Sequence, residues 1–224
     1  MKSGSTCYFC GAPATSEEHV PPKAIFPKPK DSPDGRDYRK GLWKVPSCEL
    51  HNSATSKDDE YLLYVSTMSL ASNSLGTHHF LTKVRRAIAE RPLLIQRIIH
   101  NAKQVWVVDT HTGKQFRTYA FQPDAARLNA VYEKIARGIE YRERGARWAG
   151  SVSVLVESEI SFDDADSNRL REFISLANDR LFRDVPAVGL NPEAFRYQRL
   201  VTSEDVQIRM FFYGDVRVVA TLAS

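Results

Sequence analysis

The spacing of apolar residues divides the chain into stretches of different period. After residue 53, Leu62, Leu63, Val65, Met68 and Leu70 cluster on one side at roughly helical spacing and predict a helix. Asn73 to Gly76 reads as a break. Beyond it, Phe80, Leu81, Val84 and Ile88 recur at i, i+3 and i+4 through "HHFLTKVRRAIAER" and predict a second helix. Pro92 suits the first position of a short third one, "PLLIQRIIHN". The pattern then changes. "QVWVVDTHTGKQFRTYAF" carries two segments rich in Val, Trp, Phe and Tyr around Thr112-Gly113, which predicts a β-hairpin. A long helix follows, opened by Pro123 and Asp124 and closed at Gly145, with Leu128, Val131, Ile135 and Ile139 along one stripe. The last third repeats the mixture: a strand "SVSVLVES", a helix "ADSNRLREFISLANDRL", and a hairpin "DVQIRMFFYGDVRVVATL" turned at Gly214-Asp215. In that hairpin Val206, Ile208, Met210 and Phe212 alternate as a half-buried strand requires.

Before residue 53 the pattern is poor in periodicity. Between Lys23 and Lys44 lie seven basic residues against Asp31, Asp34 and Asp37. Pro21, Pro22, Pro27, Pro29, Pro33, Gly35 and Gly41 deny that stretch a regular helix. It reads as a basic, irregular loop, and a plain solvated loop would look the same. The expected class is therefore α+β: a small metal-held module at 1–75, then a mixed helix and β-hairpin region over 76–224. With 224 residues, 42% hydrophobic and 26% charged, the composition is that of an ordinary soluble globular protein. There is no apolar run of about 18 residues for a membrane span. "MKSGSTCYFC" has no apolar stretch for a secretory signal, so a cytoplasmic location is expected. The net charge of +4 is compatible with a polyanionic partner and is too mild to prove one.

The candidate chemistry lies in the first 60 residues. Cys7 and Cys10 have CxxC spacing, and Cys48 and His51 have CxxH spacing. Together they are the Cys3His set of a closed, tetrahedral structural zinc site, and thiolates favour Zn²⁺ over Mg²⁺. A redox pair is the alternative for Cys7 and Cys10, but the only other cysteine stands in a second pair at ligand spacing. A segment this short and proline-rich buries little core, and a metal staple substitutes for one.

Glu18 and His19 stand between the two pairs, followed by Val20 and Pro21, and Asn52 follows His51 directly. This order resembles the zinc-bearing HNH endonucleases of the ββα-metal group, across about residues 7–64: CxxC, an acid plus His before an aliphatic residue and a proline, then CxxH and Asn. "NSATSKDDEYL" resembles the start of that family's helix. The resemblance implies a zinc-stapled ββα-metal module that hydrolyses phosphodiester bonds in DNA, with double-stranded DNA as partner and a bacterial or phage setting. It implies His19 as general base, and Glu18 and Asn52 as oxygen ligands of one catalytic Mg²⁺ or Mn²⁺. Lys23 or Lys57 would be the phosphate contact, and the basic loop the first to meet the backbone. The chain departs from the pattern at Glu18, where Asp is commoner, and at His51, where Cys is frequent. It also has "GLWKVPS" where the family's middle Asn stands. A different assignment gives His51 to the catalytic cation and leaves zinc to three cysteines.

Blander readings exist for each residue. Glu17 and Glu18 after Thr15-Ser16 could be capping acids, though Pro21-Pro22 argue against a helix there. Asn52 could cap the following helix. Asp58, Asp59 and Glu60 read as first-turn acids favoured by the helix dipole. His78, His79, His100 and His111 read as structural or exposed. Beyond residue 76 there is no Gly-rich phosphate loop, Ser/Cys–His signature or second CxxC. Arg85, Arg86, Arg137, Arg142, Arg144 and Arg147 would extend a nucleic-acid surface or simply be solvated. Target selection, homodimerisation and regulatory partner binding all suit that region. The competing reading of the whole chain is a non-catalytic, zinc-ribbon-like module that binds nucleic acid or protein.

Overall fold

The structure is a computed structural model that describes residues 5–108, 112–159 and 164–224; His111 lies outside them. It is a mixed α+β protein. Strands β1 (Ser16–His19) and β2 (Lys44–Ser47) form an antiparallel pair, and helix α1 (Ser56–Met68) follows. Helix α2 (Ser74–His79) runs through a π-helical segment, Phe80–Val84, into α3 (Arg85–Glu90), and α4 (Pro92–Ile98) starts at its proline. Strands β3 (Lys103–Val108) and β4 (Gln115–Ala120) make the expected hairpin. Helix α5 (Ala125–Arg144) and strand β5 (Ser151–Val156) come next, then α6 (Ala165–Leu181). Strands β6 (Val188–Asn191), β7 (Phe195–Val201), β8 (Asp205–Phe212) and β9 (Val216–Ala223) complete an antiparallel sheet of order β5-β9-β8-β7-β6.

Several expectations shift. Helix α1 ends at Met68, and Leu70 lies beyond it, 57% exposed. Asn73 to Gly76 is a helix start, not a break: the Asn73 side chain accepts from the Gly76 backbone N–H and caps α2. Gly76 is needed for close approach, since a Cβ there would stand 2.8 Å from Tyr213 Cγ. Strands β6 and β7 had no clean alternation to announce them, and β6 carries a register shift.

Helix α5 behaves as its stripe requires. Asp124 accepts from the Arg127 N–H at its N-terminus, Gly145 closes it with φ +71°, and Leu128, Val131, Ile135 and Ile139 are buried. It packs on α1, β2, β5 and β9, and the buried apolar cluster is continuous from Tyr8, Val20 and Ile25 through Leu62 to Ile208, Val218 and Leu222. Residues before and after position 75 thus share one core. No helix among the described residues is long and apolar enough to cross a membrane.

Candidate metal centre and histidine site

The Cys3His set is brought together. The Sγ atoms of Cys7, Cys10 and Cys48 and a ring nitrogen of His51 all lie within 4.8 Å of one another. Cys10 Sγ is 3.8 Å from Cys48 Sγ, and His51 Nδ1 is 3.2 Å from Cys48 Sγ and 3.9 Å from Cys7 Sγ. Sulfurs about 2.3 Å from one zinc in a tetrahedral array lie roughly 3.8 Å apart, so the four could hold a metal such as zinc. Local backbone builds the seat. Gly11, with φ +80°, turns the chain behind Cys10 and donates its N–H to the Cys7 carbonyl; Tyr8 N–H donates to Pro46 O, which ties the first pair to β2. His51 stacks on Phe9 with ring centroids 4.3 Å apart.

His19 ends β1, half-buried, directly opposite Lys44 on β2. Burial holds its imidazole below the usual pKa, and the charges of Lys23, Lys44 and Arg39 add to that against a smaller opposing pull from Glu17. Both burial and these cations favour the neutral imidazole. The loop between the strands, irregular and basic as expected, is held by side chains from elsewhere and by one of its own. Lys83 Nζ donates to Ala24 O, Tyr213 Oη to Ile25 O and Asn191 Nδ2 to Tyr38 O, and within the loop Arg39 Nε donates to Phe26 O. Asp31 is buried and pairs with Arg86 at 2.7 Å.

Glu18 points the other way, as strand alternation demands. It is buried, Tyr8 Oη donates to its Oε2 at 2.9 Å, and Lys134 Nζ stands 2.7 Å from its Oε1. The same ammonium lies 2.8 Å from both Asp59 Oδ1 and Thr55 Oγ1. Burial raises the Glu18 carboxyl above its ordinary range, against the opposing pull of Lys134 and Tyr8. Asn52 donates its amide to Ser16 Oγ at 2.8 Å and to Glu17 O at 3.3 Å. It flanks a 3-10 turn without capping it through its side chain.

The fit of a divalent cation to Glu18 and Asn52 is poor. Both Glu18 oxygens already have partners, one of them a cation, and the carboxylate is closed off from solvent. A hard cation that keeps several waters needs open oxygens, and Glu18 does not offer them.

Lys23 and Lys57 are both exposed. Asp58 and Asp59 lie in the first turn of α1, as expected, and the acids of this helix have a further role. Asp58 pairs with Arg127, Asp59 with Lys134 and Glu60 with Arg91, so each joins α1 to another element. Most of the candidate surface arginines are also committed internally. Arg86 is taken by Asp31, Arg137 donates to Trp148 O and Gly150 O, and the Arg142 guanidinium covers Trp43 at 3.8 Å. Lys134 is the residue that sequence reasoning missed. Its signal was its place on the buried face of α5, three residues after Val131 and four before Gly138. Compared with family models, curated proteins and solved structures, the chain matches none.

Proposed function

We propose that the chain is a nucleic-acid phosphodiesterase of the HNH kind, with His19 as its general base and a structural zinc on Cys7, Cys10, Cys48 and His51. The observation that carries this reading is the half-buried imidazole of His19, opposite Lys44 and with its pKa lowered by burial and by Lys23, Lys44 and Arg39, on a strand paired to the one that leads into Cys48. A base must be unprotonated at working pH and close to its anionic substrate, and this setting supplies both conditions. The order β1, long loop, β2, α1 with the cysteine pairs at its corners supports the ββα-metal comparison. In this reading water attacks phosphorus while its proton passes to His19, and the bond from phosphorus to the 3′ oxygen breaks, the leaving 3′ oxygen taking a proton from solvent. Lys23 and Lys44 face the charge that develops on the phosphate oxygens. No step is assigned to a cation on Glu18, whose role is structural.

A second reading has a specific observation behind it. Glu18 is sealed by Lys134 and Tyr8, and a zinc-stapled module that binds nucleic acid without cutting it has no need of an open carboxylate. A supercoiled-plasmid assay with added Mg²⁺ or Mn²⁺ separates the two. Nicked or linear product from wild type, reduced at least 10²-fold by His19→Ala at equal zinc content, supports the phosphodiesterase. Binding by both proteins with cleavage by neither supports the module.

A further inference from the structure

The β3–β4 hairpin presents a face that the site above does not use. Its register pairs Gln104 with Tyr119, Trp106 with Arg117 and Val108 with Gln115, so these six residues share one face, and all six are exposed. Trp106 is 65% exposed and Tyr119 66%. On the opposite face Val105, Val107, Thr118 and Ala120 are half-buried and Phe116 is 42% exposed, and Thr118, Tyr119 and Ala120 are among the residues that line a cavity of about 370 Å³ against α1, α5 and β5. The hairpin thus borders a cavity on one side and leaves Trp106 and most of Tyr119 exposed on the other.

Two features distinguish that outward face from an ordinary exposed sheet. Trp106 and Tyr119 are diagonal neighbours, a relationship that sets residues roughly 7 to 8 Å apart, wide enough for two bases of an extended strand to lie on successive rings. Charge around the rings has one sign: the described residues of 103–120 include Lys103, Lys114 and Arg117 and no acid, while Asp109 lies outside the described residues. Arg117 stands directly opposite Trp106, its guanidinium 5.6 Å from the ring centroid, and donates to Gln104 Oε1. Six residues are few beside the 20–30 that each side of a stable protein interface supplies, whereas one or two rings and a cation suffice to stack bases.

We propose that the outward face of the β3–β4 hairpin is a stacking platform for an unpaired nucleic-acid strand, with Trp106 and Tyr119 each taking a base and Arg117 a phosphate between them. Paired bases within a duplex offer no free face to these rings, so the platform selects single-stranded segments. It goes beyond the phosphodiesterase reading and stands or falls separately from it.

The test is fluorescence anisotropy of a fluorescein-labelled dT15 strand with the full-length His19→Ala protein at low salt and without added divalent cation, so that cleavage plays no part. Trp106→Ala and Tyr119→Ala are each expected to weaken binding about tenfold, while Trp106→Phe keeps most of it. Arg117→Gln is expected to lower the slope of log affinity against log salt by about 0.7. Binding of a 15-base-pair duplex is expected to stay unchanged in all of them. Thermal melts and circular dichroism identify any variant that has lost its fold, in which case Trp106→Phe against Trp106→Gln is compared instead. The proposal is overturned if dT15 does not bind, or if folded alanine variants bind it as wild type does. A loss of self-association in those variants with strand binding intact would mark the face as a protein interface and overturn it equally.

Discussion

Lys134 on α5 places its ammonium 2.7 Å from Glu18 on β1 and 2.8 Å from Asp59 on α1, with the lysine and Glu18 both all but sealed from solvent. One cation thus joins the strand that carries His19, the helix behind the Cys/His cluster, and a helix of the C-terminal region. Burying three charges is tolerable only because each has its partners, and removal of the shared one leaves two carboxylates unpaired. Lys134→Met is therefore expected to cost about 3–5 kcal/mol. Glu18→Gln in the same chain should restore part of that, since it neutralises one stranded charge. Chemical denaturation of the two variants measures both effects. The same contacts predict that residues 1–75 alone, without Lys134, will lack a cooperative unfolding transition.

The metal centre makes a compositional prediction. Purified protein should contain one zinc per chain, and Cys48→Ser should lose it, because three remaining ligands do not close a tetrahedral site. Loss of metal should also lower the thermal midpoint, since the ligand bonds would add to what the buried Cys7 and Tyr8 contribute to holding this segment. Elemental analysis together with a melt in the presence and absence of a chelator checks both.

Val20 and Gly138 touch so closely that a Cβ on Gly138 would stand 2.6 Å from Val20 Cγ2. Gly138→Ala favours the helix by about 1 kcal/mol in isolation, yet must push Val20 away, and overpacking of this kind costs about 1–3 kcal/mol. A net loss of stability is expected. Because Val20 follows His19 directly, the variant should also shift the His19 ring resonances in an NMR spectrum.

His79 gives the protein an acid-sensitive point. Tyr213 Oη donates to Ile25 O, so His79 Nδ1 must donate to the tyrosine oxygen, and the buried Nε2 is left without a hydrogen-bond partner. Burial, then the charge of Lys83, pushes the imidazole down to about 3, with Arg39 and His78 acting in the same direction and Asp31 against them. The unfolded chain takes up this proton near pH 6.5 and the folded chain does not. Stability is therefore unaffected by His79 above that pH and falls as pH drops from 6.5 toward 3. The loss at pH 5 amounts to about 2 kcal/mol. Urea unfolding across that window, compared with His79→Phe, isolates the contribution.

What the chain determined by itself is local. CxxC and CxxH spacing selected the four residues of the metal centre, because ligand geometry depends on a few neighbouring bonds. The stripe Leu128, Val131, Ile135 and Ile139 with its caps defined α5, and alternation from Val206 to Phe212 defined β8, because side-chain period follows directly from backbone geometry. Partnership across the chain was decided only by the tertiary structure. Asp58 and Asp59 stand in the first turn of α1 as their place in the sequence indicates, but only the fold brings Arg127 and Lys134 of α5, and Arg91 just after α3, to the acids of that helix. Glu18 and His19 are adjacent in sequence and suggested one shared site. Strand alternation sends their side chains to opposite faces, and what waits on each face is supplied by residues far away: Lys134 for Glu18, and Lys44 and Arg39 for His19. Such long-range encounters follow from how the whole core packs, and no local spacing encodes them.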